Sequence, residues 1–444
     1  MASNAPQHTS SSHVSSVASA KASVWDCDMF SKQVEIIRKK RRRKRRGMTR
    51  KRARAVQDAM LAENTLQMMT HSVILKSLSA AIISGVWKKK RGRKAREQLT
   101  PTPSHPIIPA QRYNFRDSPL DPRSLFRFTE EEIHQITSTM NVARWHKTYA
   151  RDRFSFLEGF LIVCRRLVFP ARWMDLIQLF GRSKGPLSRI FHYTLQLILS
   201  KYLHLLHFRV DRLRSQLPAW AAAVARACPN AYENVVLFLD GTLRKTCRPK
   251  PSQSKLPDGV TQAMLQRAQY DGRKNRHGFK YHAAVAPVGL IVHAHGPVDG
   301  RRHDVIVAKR SGLLDEMNNL HANGVNYAIY ADSAYGLHTH MQTPYRKPKP
   351  GSTEARLNTC MVRARTVASE CTYGIITNQW QAVDFVRWQR MFQTQPAAQY
   401  MCAILLTNIE LCIRRTNQVA HFFACNDQAP TLANYLAGTW YPTE

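Results

Sequence analysis

Acidic residues are scarce in this chain: 30 Asp and Glu stand against 66 Lys and Arg in 444 residues, a formal net charge of +36. That surplus predicts a polyanionic partner, with anionic membrane surface as the rival to nucleic acid. No run reaches about 18 uninterrupted apolar residues, so no membrane span is expected. The opening Met1-Ala-Ser-Asn-Ala-Pro6 lacks a charged segment followed by an apolar one, and no signal peptide is expected. The nine cysteines form no C-x-x-C pair. This argues against a disulfide framework or a zinc finger and favours a reducing compartment, cytosol or nucleus. Hydrophobic residues make up 44% of the chain, enough for a folded core with polar appendages.

What is abundant is unevenly placed. Residues 1–24 are rich in Ser and Ala and are expected to be disordered. Nine consecutive bases follow, Arg38-Lys39-Lys40-Arg41-Arg42-Arg43-Lys44-Arg45-Arg46, and a second cluster spans Lys88–Lys94. The first 100 residues hold 23 bases and six acids. Such a density reads as a nuclear import signal or a phosphate-binding arm rather than a solvated tail, because nine bases without an acid repel one another. Between the clusters, Val56–Trp87 is compatible with an amphipathic helix, but polar residues interrupt it too often for a bilayer.

Three regions follow: a basic, largely disordered region with a Pro-rich linker over 1–122, a helical domain over 123–227, and an α/β domain over 228–444. Phe128 precedes Thr129-Glu-Glu-Glu132, a capping box with a hydrophobic staple. A helix expected over 170–181 stops at Gly181, and a second opens at Ser183. This pair suggests a helix-turn-helix with Ser183, Lys184, Ser188 and Arg189 at the groove-facing end, a pattern that any helical bundle also shows. From Asn234 the pattern changes to strands expected at 235–240, 279–286, 289–297 and 326–331, with a helix near 303–320 before the last. That order predicts an α/β fold with a mixed sheet. Helices are expected from about Glu354 to Phe392 and over Gln399–Cys412.

In so basic a chain, the acids at the ends of apolar runs stand out. Val235-Val-Leu-Phe-Leu239 ends at Asp240, and Tyr327-Ala-Ile-Tyr-Ala331 ends at Asp332. Glu370 lies in a helix expected over Ser369-Glu-Cys-Thr-Tyr-Gly374. Mg²⁺ and Mn²⁺ prefer hard oxygen ligands. Two such ions about 3.5–4 Å apart activate a water and stabilise the leaving oxygen in phosphodiester cleavage. If the first and fourth strands pair, Asp240 and Asp332 share the carboxyl edge of the sheet, where open α/β sheets bind ligands.

Other assignments compete. Asp304 opens the helix near 303, where an N-cap role is the simpler account, and Asp299 sits in a Gly-flanked turn. His277, His282, His293, His295 and His303 crowd the region and raise a zinc site, but no pair has finger spacing, and structural or DNA-facing histidines are the better reading. Arg244, Lys274, Lys280, Arg301 and Arg302 surround the acids as a phosphate-positioning surface.

The segments Phe238-Leu-Asp-Gly-Thr242, Tyr270–Lys280, Gly296–Asp304, Ala331-Asp-Ser-Ala-Tyr-Gly336 with Pro344-Tyr345, and Glu370-Cys-Thr-Tyr-Gly374 with Trp380 resemble the PIF/Harbinger-type transposases and their domesticated relatives, of the DDE endonuclease superfamily. The resemblance covers about 235–415 and, less sharply, the helix-turn-helix segment within 128–200. It implies an RNase H-like catalytic domain, two divalent ions, Mg²⁺ or Mn²⁺, and DNA as substrate, with the acidic trio at Asp240, Asp332 and Glu370. It also suggests a separate Myb-like DNA-binding partner. Relatives usually carry an arginine four residues before the glutamate, whereas Arg365 stands five before Glu370. A basic residue that often follows is replaced here by Thr377-Asn378.

The leading expectation is therefore a nuclear DDE-type endonuclease or transposase that hydrolyses phosphodiester bonds and leaves a 3′-OH competent for strand transfer. The alternative is a domesticated, catalytically inactive nuclear DNA-binding protein. An RNA-binding protein is a weaker third reading, since no stacking-platform motif is present. An oligomer is compatible with all three.

Overall fold

The computed structural model describes residues 112–229, 234–250, 256, 260–322, 326–336 and 338–441. The basic run Arg38–Arg46, the cluster Lys88–Lys94, the segment 56–87 and residues 101–111 of the Pro-rich linker lie outside the described residues.

Helix α1 (Pro122–Phe126) is capped by Asp121, which accepts from Ser124 N–H. Helix α2 (Glu130–Thr139) starts on the expected capping box: Glu132 N–H donates to Thr129 Oγ1 at 3.2 Å and Thr129 N–H to Glu132 Oε2 at 2.9 Å. A two-stranded hairpin follows, β1 (Trp145–Lys147) against β2 (Arg153–Ser155), where only helix was expected. Three residues per strand are too short for periodicity to show. Helices α3 (Phe156–Val168), α4 (Trp173–Phe180), α5 (Lys184–Tyr202) and α6 (Leu217–Ala227) complete the helical region. Gly181 ends α4 in the left-handed conformation, φ 56°, as the sequence predicts. Gly159 lets α3 approach α5: a Cβ there would lie 2.4 Å from Thr194 Oγ1 and 2.9 Å from a Phe154 ring carbon.

The sheet is mixed, as expected. Its central strand is β3 (Val235–Lys245). A short strand β4 (Tyr270–Asp271) and β5 (Arg276–Val285) come next, after α7 (Gln262–Gln269). β5 pairs antiparallel with β3 and with β6 (Ile291–Asp299), while β4 pairs with the start of β5. β7 (Ala328–Ala331) lies parallel to β3 on its other side, and β8 (Met341–Gln342) lies parallel to β7. The spatial order is β6–β5–β3–β7–β8, an arrangement consistent with an RNase H-like domain.

Three expectations need correction. β3 does not stop at Asp240: β5 pairs with it from Phe238 to Lys245, so Asp240 lies inside the strand, where the parallel pairing ends and the antiparallel pairing continues. The single helix expected over 303–320 is two, α8 (Asp304–Arg310) and α9 (Leu313–Ala322), broken at Gly312, φ 76°. The third strand is displaced to 291–299 because Gly289 turns the β5–β6 hairpin with φ 81°.

The C-terminal half adds α10 (Thr353–Arg365), a π-helical turn (Thr366–Cys371), α11 (Thr372–Gln379), α12 (Pro396–Arg414), α13 (Gln418–Phe422) and α14 (Leu432–Ala437). By length and composition α12 could cross a bilayer, but 94% of its apolar window is buried inside the protein, which makes it a core helix. One continuous hydrophobic cluster runs from Leu125 to Trp440 and takes in residues of both the helical region and the sheet. Each large aliphatic or aromatic side chain so buried contributes about 1.5–3 kcal/mol before entropy is counted.

Candidate active site

The pairing of β3 with β7 sets the site. Leu239 and Ala331 are parallel partners, so Asp240 and Asp332, one residue further on, leave adjacent strands side by side. Asp332 then caps a short 3₁₀ turn (Ser333–Tyr335), accepting from Ser333 N–H at 2.6 Å. Asp240 accepts from Gly241 N–H at 2.7 Å through Oδ1.

The α10–π–α11 segment crosses this edge. Arg365 Nη1 donates to Asp240 Oδ2 at 2.7 Å, and its Nη2 lies 3.9 Å from Glu370 Oε1. The π-helical turn explains the departure seen in the sequence. In an α-helix residues five apart face different ways, whereas a π turn holds one more residue and returns positions i and i+5 to one face. Arg365 therefore reaches Asp240 while staying within 3.9 Å of Glu370. Tyr373, three residues after Glu370, donates its hydroxyl to the Asp240 carbonyl oxygen at 2.6 Å. Sequence reading missed Tyr373 as an anchor; its place in the Glu370-x-x-Tyr373 spacing was the available signal.

Burial raises the Asp240 carboxyl above its ordinary value; the Arg365 guanidinium opposes this, and the charges of Asp332 and Glu370 add to the rise. Asp240 thus feels both of its expected partners. A cleft of about 510 Å³ opens beside it, lined by Asp240, Arg244, Lys274, Glu370 and Tyr373 among others. Among the described residues no three His, Cys, Asp or Glu side chains converge closely enough to hold a metal ion. The donor chemistry nevertheless suits a hard divalent cation: Asp240, partly buried, and Asp332 follow paired positions on adjacent strands, and the Arg365 guanidinium lies between Asp240 and Glu370.

Asp304 and Asp299 differ from expectation. The N-cap of α8 is His303, without a side-chain cap bond, and Asp304 is the first helical residue. Its carboxylate instead accepts from Lys280 Nζ at 3.3 Å. A Cβ on Gly241 would lie 3.1 Å from Tyr335 Oη and 3.2 Å from Asp304 Oδ1, so these groups reach the β3 backbone next to Asp240. Asp299 is not in an open turn: it is the buried last residue of β6 and accepts from Gln269 Nε2 at 3.0 Å.

The basic positions separate into two sets. Lys274 and Arg301 are exposed, and Lys184 is exposed at the start of α5. Arg302 is partly exposed and offers its carbonyl to Lys280 Nζ at 2.7 Å. Lys280 is thereby held within the fold, and Arg244 is held by Thr242 Oγ1 at 2.6 Å and Asp384 at 3.5 Å. Arg189 is bound in bidentate fashion to Asp152, at 2.6 and 2.9 Å. Three of the histidines form an edge-to-face group instead of a finger: His282 lies 5.4 Å from His293 and 5.7 Å from His295 between ring centres, with the rings 69° apart. Burial holds His282 well below the usual histidine range and His293 at about 3. Phe208 N–H donates to His293 Nδ1, which places the proton of the neutral ring on Nε2.

Comparison with curated proteins gave no match, and neither did comparison with solved structures. Residues 239–408, which carry Asp240, Asp332, Arg365 and Glu370, match the family model for DDE superfamily endonucleases, and that match supports a DDE-type nuclease domain in this part of the chain.

Proposed function

We propose that the protein is a divalent-metal-dependent DNA endonuclease of the PIF/Harbinger transposase type, acting in the nucleus. The observation that carries this reading is the register Leu239↔Ala331, which sets Asp240 beside Asp332 under a helix bearing Glu370. Asp240, Asp332 and Glu370 would hold the cations. When bound, a pair of Mg²⁺ or Mn²⁺ ions supplies charge stabilisation at the phosphodiester and activation of the attacking water. The chain's own contribution is positional. Tyr373 fixes the β3 backbone at Asp240, Arg365 orients the Asp240 carboxylate, and Lys274 presents positive charge at the cleft for a phosphate. Nuclear location rests on the run Arg38–Arg46.

A second reading draws on one specific contact. The Arg365–Asp240 pair occupies a carboxylate oxygen that a cation would use, which favours a catalytically silent nuclear DNA-binding protein. Incubation of duplex DNA with purified protein and Mg²⁺, with and without EDTA, separates the two. Chelator-sensitive nicks with 3′-OH ends support the endonuclease. DNA binding without any cleavage in Mg²⁺ or Mn²⁺ supports the silent protein.

A further inference from the structure

The β1–β2 hairpin projects a surface that neither the fold nor the acidic site uses. Its outward residues Arg144, Trp145, Lys147, Tyr149, Arg151 and Arg153 are all exposed, Trp145 by 52% and Tyr149 by 85%. Arg153 stacks on the Trp145 ring at 4.7 Å, with Arg144 at 5.9 Å. The acid among them, Asp152, is neutralised by Arg189 from α5.

A free hairpin of three-residue strands is marginal in water, yet this one is held firmly. The Asp152 carboxylate accepts from Thr148 Oγ1 at 2.6 Å as well as from Arg189, and Thr148 N–H donates to the Asp152 carbonyl at 3.0 Å. On the inner face Phe154 is fully buried, with His146 and Tyr193 packed around it. The fold thus fixes a ribbon whose exposed side carries four cations and two large aromatics. That exposure costs apolar hydration and charge repulsion without return inside the molecule. The charge excludes a cationic partner. Aromatics interleaved with Arg suit a polyanion that also offers flat rings and sugars, and a two-stranded ribbon fits the major groove of a duplex.

We infer that the β1–β2 hairpin is a duplex-DNA contact element, with Lys147, Arg151 and Arg153 on phosphates and Tyr149 and Trp145 against sugars and bases. It rests on the reading of DNA as substrate and adds a contact outside the acidic site and outside the α4–α5 pair. It also recasts Arg189 as the clamp of the hairpin tip.

The test uses the full chain and a duplex of mixed sequence in which 5-bromodeoxyuridine replaces some thymidines. Ultraviolet crosslinking followed by peptide mapping should place adducts at Trp145 or Tyr149. In a Lys147→Ala/Arg153→Ala variant, the slope of log K against log salt should shrink by about 2, since each phosphate contact contributes roughly 0.9. Tyr149→Ala should weaken binding about tenfold and leave the slope unchanged. All three side chains are exposed, so thermal melting of the variants should match that of the unaltered chain. Adducts elsewhere on the chain but none on the hairpin, with an unchanged salt slope, overturn the inference and leave the DNA reading standing. Failure of the unaltered chain to bind duplex at all overturns both. Loss of binding to phosphatidylserine vesicles in the double variant, with duplex binding unaffected, assigns the hairpin to a membrane and overturns it as well.

Discussion

Arg365 donates to Asp240 at 2.7 Å from a position five residues before Glu370, and the π-helical turn Thr366–Cys371 is what makes that spacing workable. The guanidinium has only 11% of its side chain exposed, and among the described residues its ion-pair partners are Asp240 and, at 3.9 Å, Glu370. It acts as the counter-charge that opposes the burial-driven rise of the Asp240 carboxyl.

Removing that counter-charge has a direct expectation. Arg365→Gln should lower stability by about 3 kcal/mol without metal, because it strands a buried carboxylate. Chemical denaturation of the two proteins in EDTA measures it. Addition of Mg²⁺ should recover part of the loss in the variant, and equal stabilisation of variant and unaltered chain by Mg²⁺ would argue against a shared place for guanidinium and cation.

On the proposed reading, cation binding by Asp240 should depend on pH. Its folded value is raised above the unfolded value near 3.9, so its contribution to folding is present below that value and is lost as pH rises through the folded value. A divalent cation held by Asp240 would offset this penalty at neutral pH. The melting-temperature increase on adding Mg²⁺ should therefore grow from pH 5 to pH 8, and should disappear in Asp240→Asn. Differential scanning calorimetry across that range reads it.

The buried histidines give the opposite pH sign. His282 and His293 are held neutral, His293 at about 3 against an unfolded value near 6.5. Their contribution is present in full above about 6.5 and is lost progressively as pH falls toward the folded values, because the unfolded chain binds the protons. Denaturant midpoints should fall between pH 7 and pH 5, and His282→Gln should flatten that slope. His207, whose ring lies beside His293, is also lowered by burial and adds to the same trend.

Close helix packing makes Gly159 a sensitive position. Gly159→Ala places a methyl 2.4 Å from Thr194 Oγ1, and separating α3 from α5 should cost about 1–3 kcal/mol. Gly374, with open space at its Cβ, should accept Ala without a steric penalty. Thermal melts of both variants compare the sites.

The central strands were legible because they are apolar runs, and strand order placed Asp240 beside Asp332, whereas Glu370, on a helix, was assigned only through the family resemblance. The hairpin at 145–155 was not, since three-residue strands leave no period and its exposed Trp145 resembles an ordinary helical residue in sequence. The extent of β3 was hidden because pairing with β5, not the composition of Gly241–Lys245, carries the strand past Asp240. The π turn was visible only as a one-residue discrepancy at Arg365. Asp304 was read as a cap from its position at a helix start, while its actual partner, Lys280, is distant in sequence.

The central claim is that Asp240 and Asp332, brought together by the β3–β7 register, are the cation-binding pair of a nuclease. Isothermal titration of Mn²⁺ into the unaltered chain, Asp240→Asn and Asp332→Asn, alongside cleavage of duplex DNA, tests it most directly. The account predicts that each substitution abolishes both Mn²⁺ binding and cleavage while duplex affinity persists. Full cleavage by the Asp240→Asn protein, or undiminished Mn²⁺ binding by both variants, would contradict it.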